Sequence, residues 1–221
     1  MSTPTFPRPA LPVIPVLPTG PVAAAALEYL RAAVSQPVAH HSVRSYLFAR
    51  LLADHEELTP GADYDDDLLF HACVLHDLGT SPESPGQARF ELEGADLAAA
   101  FLTRHGYPVA AVDQVWQAIA LHSSAQIADR SGTLARLTRR GVTSDFGIDT
   151  AHLTDAHGEA VHRDHPRLDM TTALVDAITT HAARSPQAAA RYTLAGELTR
   201  ERGESGVTGL ELGTAAGRWG R

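Results

Sequence analysis

From Leu68 to Gly79 the chain reads Leu-Leu-Phe-His-Ala-Cys-Val-Leu-His-Asp-Leu-Gly, and this run constrains the fold more than any other. Its apolar residues cover nearly every face of a helix, and such a helix belongs in a core. The His76-Asp77 pair at its end is then buried with it. A buried carboxylate without a partner is very costly and calls for a cationic side chain or a metal ion. A divalent ion answers both residues at once, because imidazole nitrogen and carboxylate oxygen are good ligands for first-row metals. Gly79 lets the chain turn sharply after the pair. The plainer alternative has His76 satisfied locally and Asp77 paired with an arginine. The apolar run before the pair, and the supply of other His and Asp residues, favour the metal.

Composition limits the ligands. The chain has 12 His and 1 Cys, so an internal disulfide and a cysteine-based cluster are both excluded. Any metal site must use His, Asp and Glu. A single thiol suits a reducing compartment, and a cytoplasmic location is expected. The net charge is −8 and the 18 basic residues are all Arg with no basic run, which disfavours nucleic acid as a partner. No stretch approaches ~18 consecutive apolar residues, so no membrane-spanning helix is expected. Residues 1–21 lack the basic start and unbroken apolar run of a secretory leader.

Seven of the 14 prolines fall within residues 1–21, predicting an extended Pro-rich arm whose apolar members partly lie on the body. Helical periodicity follows over 22–35, 40–54, 64–78, 90–105, 108–123, 168–183 and 187–202. Alternating strand patterns are nearly absent. Residues 143–165 read as a long polar loop, and loops of that length are often functional. From Gly203 onward the chain is Gly-rich and weakly periodic, predicting a mobile tail over 203–221. The expectation is one all-α domain over 22–202, a bundle of about six or seven helices.

His41 is a second candidate ligand, near the start of the preceding helix. The motifs His-Ser-x-Arg-x-Tyr at 41–46, His-Asp-Leu-Gly at 76–79 and Arg-Phe-Glu-Leu-Glu-Gly-Ala at 89–95 resemble, in this order, the HD-domain superfamily. The last of them is similar to its cyanamide hydratase-like branch. The resemblance runs from about Ile14 to about Leu198. It implies an all-helical HD fold holding one divalent ion, zinc ahead of iron or manganese. The implied ligands are His41, His76, Asp77 and Asp145, with Asp149 close by as the alternative for the last. His122, followed by Ser123, falls on the helix that approaches the site in such folds, with a catalytic role beside Asp77 or a place in the core.

The substrate-facing candidates are Arg44, Phe90 and Glu93, one glutamate of the 89–95 segment being placed to orient a pocket residue or a substrate amino group. His152, His157, His162 and His165, in the polar loop, read as surface residues. This chain departs from the family in having His40 where Asn often precedes the first His, and in its Thr80-Ser81-Pro82 loop. The implied activity is hydration of a small nitrile-like molecule, cyanamide to urea, by water that the ion activates. The alternative is phosphohydrolysis of a nucleotide or other phosphomonoester, for which Arg44 and Arg89 are the nearby cations. Both readings need a small-molecule substrate and leave a homo-oligomer open.

Overall fold

The computed structural model describes residues 12–220. It is all-helical, with ten α-helices and no strand among those residues: α1 (Pro21–Ala33), α2 (Gln36–His55), α3 (Asp66–Leu75), α4 (Phe90–Arg104), α5 (Val109–Leu121), α6 (Thr133–Asp145), α7 (Asp155–Asp164), α8 (Met170–Ala182), α9 (Leu194–Ser205) and α10 (Gly209–Ala216). Single 3₁₀ turns lie at Leu78–Thr80 and Ala128–Arg130. No described helix is long and apolar enough to cross a membrane.

The expectation of six or seven helices is therefore corrected to ten. The three that the periodicity missed are α6, α7 and α10. Helix α6 carries Arg136, Arg139 and Arg140 on one side, and its buried side interrupts the apolar Leu137 and Val142 with small and polar residues. Ala135, Thr138, Gly141 and Ser144 are all buried there. This suits close approach to α2, its most extensive packing partner. A side chain at Gly141 would collide with the Ser45 carbonyl of α2.

Helix α7 occupies much of the stretch read as loop 143–165. Its capping box joins Thr154 to His157, which takes the place usually filled by Glu or Gln. The stretch read as a mobile tail holds the end of α9 and then α10, whose capping box joins Thr208 and Glu211. Beyond α10, Trp219 donates its indole N–H to the Ser144 carbonyl at 2.7 Å and stacks on Phe48. Of the Pro-rich arm, residues 1–11 lie outside the described residues. Ile14 and Leu17 pack on the core while Val13 and Val16 face solvent.

Helix α3 sits at the centre, with every residue from Leu68 to Leu75 buried. Asp65 caps it by accepting from the Asp67 and Leu68 amides. The core falls into two apolar clusters. The larger surrounds α3 with α1, α2, α4 and α5, and the smaller gathers Phe90, Val142 and Phe146 with α8 and α9. The end of α3 opens onto the seam between them.

Gly79 shows how tightly that seam is closed. A Cβ there would run into the Phe90 carbonyl and the Gly94 amide of α4, both backbone groups that cannot step aside. Gly79→Ala is expected to cost about 2 kcal/mol through forced overpacking, read as a lower urea midpoint with an unchanged slope.

Candidate metal centre

His41 lies in the second turn of α2, His76 caps the C-terminus of α3, and Asp77 follows it into the 3₁₀ turn. All three are buried. His41 Nδ1 lies 2.7 Å from Asp145 Oδ2 and His76 Nδ1 lies 2.7 Å from the Cys73 carbonyl oxygen. A carbonyl or an ionised carboxylate can only accept, so in each ring the neutral imidazole carries its proton on Nδ1. Each Nε2 is then a lone pair. Both point toward Asp77 Oδ2, at 3.8 Å from His41 and 3.1 Å from His76.

These three atoms are buried without a hydrogen-bond partner, and one ligand atom from each residue lies within 4.8 Å of the others. Three acceptors facing one another without a donor is a costly arrangement in a protein interior. A cation among them removes the cost, and the donor set of two imidazoles and one carboxylate fits a divalent metal ion.

The electrostatics agree. Burial would raise the Asp77 carboxyl, but His76 and His41 hold it below the usual carboxylate range. Burial lowers the His41 imidazole, against the opposing effect of Asp145. His76 is raised despite its burial, because Asp77 lies against it. The field at the cluster favours positive charge.

Asp145 stands on the far side of His41, bound to Nδ1, and is not one of the converging atoms. Both its oxygens are engaged. Arg44 donates to them through Nε and Nη2, each at 2.8 Å, and Arg167 Nη1 reaches Oδ1 at 3.2 Å. Burial would raise this carboxyl, but the Arg44 charge, with His162 and His41 beside it, holds it well below the usual range. Its geometry is that of an outer partner that fixes the tautomer and orientation of a ligating histidine. Asp149, the sequence alternative, sits near the surface in an ion pair with Arg140 at 2.8 Å.

Arg44 is fully buried behind Asp145 and also donates to the His165 and Pro166 carbonyls, so it does not face the cavity. The buried charge of Asp145 requires a buried counter-charge, and Arg44 supplies it. Glu93 is likewise away from the cavity. It accepts from the amides of Gly86, Gln87 and Ala88 at 2.6–2.8 Å, from the Ser84 hydroxyl, and pairs with His181 at 2.9 Å. It ties the loop after Asp77 to α4 and α8.

Phe90 and His122 do line the cavity, beside His41, His76 and Asp77. His122 Nδ1 lies 2.7 Å from the Ile119 carbonyl, which leaves Nε2 as the unprotonated nitrogen. Its ring stands edge-on to His76 with centroids 4.8 Å apart. Burial, with His76 nearby, pushes the imidazole down to about 4, so His122 is neutral at pH 7.

Sequence reasoning missed two contributors, neither of them part of a short motif. Arg167 donates to Asp145. His162, read as a surface residue, approaches Asp145 Oδ1 at 3.7 Å under the Trp219 ring. Of the two glutamates in the 89–95 segment, Glu91 is the one beside the pocket: buried on α4, it takes hydrogen bonds from Arg89 and Ser123 next to His122.

A family model described as HD domain matches residues 38–183, a span that holds the whole cluster. No curated protein matches the chain.

Proposed function

On the premise that the chain belongs to the HD-domain family, whose members are generally metal-dependent hydrolases, we propose that it hydrates a small uncharged nitrile-like molecule, with cyanamide to urea as the reference reaction. The reading rests on the cavity beside the cluster. It is about 160 Å³ and largely apolar, and among the described residues Arg139 is the one arginine lining it. Arg139 itself leans on Asp129 at 3.7 Å. A phosphoryl substrate needs several cationic or N–H donors around its oxygens. Of the two arginines that could have served, Arg44 is committed to Asp145 and Arg89 to Glu91.

His41 and His76 would hold the ion through Nε2 and Asp77 through Oδ2, with zinc the first candidate. When bound, such an ion acidifies water near neutrality and stabilises negative charge developing on the substrate. Asp145 keeps the His41 tautomer fixed. His122, neutral and with Nε2 free of its own proton, accepts the proton released as the water oxygen bonds to the nitrile carbon and returns it to the nitrogen. Glu91 and Ser123 hold the end of α5 that carries it. The apolar walls favour a neutral substrate.

The test is to measure metal content and then assay urea release from cyanamide against phosphate release from a phosphomonoester panel. Stoichiometric metal and urea formation are expected in the wild type, with both lost in His76→Ala. Phosphate release without urea would overturn the reading in favour of a phosphohydrolase.

A further inference from the structure

The cavity is larger than cyanamide requires. Cyanamide has three heavy atoms, whereas an apolar cavity of about 150 Å³ takes up a benzene ring, roughly six heavy atoms. The space here is about 160 Å³. The ligand residues and His122 share this lining with Leu174, Ile178, Leu194 and Leu210, which belong to or pack against the smaller apolar cluster and form an aliphatic wall.

Leu174 and Ile178 are one turn apart on α8, hence on one face, and both are buried in the smaller apolar cluster. Leu194 opens α9 and Leu210 lies in α10. These two lie beyond residues 38–183, the stretch that matches the family. The wall is therefore completed by parts of the chain outside the matched domain, where selectivity particular to this protein can reside. Ile148 at the rim is 47% exposed, so the cavity is open to solvent there.

We infer that the substrate carries, beside its reactive head, an uncharged aliphatic arm of about three carbons that lies along Leu174, Ile178, Leu194 and Leu210. This rests on the hydratase reading for the chemistry of the head, but the arm follows from the wall alone. For an N-alkylcyanamide the reaction adds one water across the nitrile. The oxygen bonds to carbon, both hydrogens end on nitrogen, and the product is an N-alkylurea.

The experiment uses the full chain with its metal. The kcat/KM for hydration is measured for cyanamide and for N-methyl to N-hexyl cyanamide. It is expected to rise about fourfold per methylene and to level off near three carbons, with the gain in KM. In parallel, calorimetry on chelator-treated protein measures binding of N-methyl-, N-butyl- and N-carboxypropylurea. The butyl compound is expected to bind at least tenfold more tightly than the methyl one. In Ile178→Trp, which fills the wall, the butyl-to-cyanamide ratio of kcat/KM should fall at least tenfold.

Cyanamide turnover that is flat or falling with chain length would overturn the arm and leave the hydratase reading standing. Length-dependent binding without any hydration would support the arm and remove the hydratase reading. Preferential binding of the carboxylate-tipped arm would overturn the uncharged assignment and point to Arg139 as an anchor.

Discussion

Asp145→Asn is expected to destabilise the protein by about 3–5 kcal/mol, the usual penalty for removing one partner of a buried charge pair. The cause is local. Arg44 has no exposed surface and Arg167 is nearly as buried, and both direct N–H groups at the Asp145 carboxylate. An asparagine keeps the volume but removes the negative charge, and its amide group presents donors to donors. Urea denaturation with and without a chelator reads the effect as a lower midpoint in both conditions.

The same change should weaken metal binding by roughly 10–100-fold, the range for losing an outer partner of a ligating histidine. His41 would lose the acceptor that holds its proton on Nδ1. Competition with a chromophoric chelator measures this separately from stability. If Asp145 were a direct ligand and nothing more, the chelator-treated protein would show little change. A large loss of stability in the metal-free state is the outcome that distinguishes the two roles.

Much of this centre was legible in the sequence, and the reasons differ from residue to residue. His76 and Asp77 were readable because an all-round apolar helix forces its end into the core, where such a pair requires a cation. His41, Asp145 and His122 came from the resemblance, and the structure buries all three around the same point. The geometry alone distinguishes Asp145 from the converging atoms, because its place in the sequence carries no information about which face of His41 it meets.

Arg167 and His162 could not have been found by spacing. They reach Asp145 only because α7 packs on α2 and the segment before α8 passes beside the end of α6, and no local pattern encodes that. Helix α6 escaped notice because small and polar residues interrupt the apolar Leu137 and Val142 on its buried face. Helix α10 is a different case. Thr208-Gly209-Leu210-Glu211 carries the Thr-x-x-Glu capping signature in plain view, and the Gly-rich surroundings masked it.

Glu93→Gln provides the second large effect and a pH signature. The Glu93 carboxylate takes hydrogen bonds from Ser84 and three consecutive backbone amides and pairs with His181. Burial would raise its carboxyl, but these bonds, Ser84 first, bring it down to about 2 from an ordinary 4.5. A folded-state value below the unfolded one means the charged form stabilises the fold. That contribution is fully present above about pH 4.5 and is lost as the pH falls toward 2. A depression of this size corresponds to about 3 kcal/mol.

Glu93→Gln is therefore expected to be less stable than wild type by about 3 kcal/mol at pH 7. The difference between the two should shrink steadily between pH 4.5 and pH 2. Taking the difference removes the contributions of Asp77, Asp145 and the other carboxylates that the two proteins share. Urea midpoints at half-unit pH intervals provide the measurement, and a gap that stays constant down to pH 2 would show that the carboxylate charge is not what holds the 84–88 loop. The consequence reaches the metal centre through the backbone. Gly94, the next residue, packs against the Gly79 amide and the His76 carbonyl, so a loosened Glu93 releases the surface on which the His76-Asp77 turn rests.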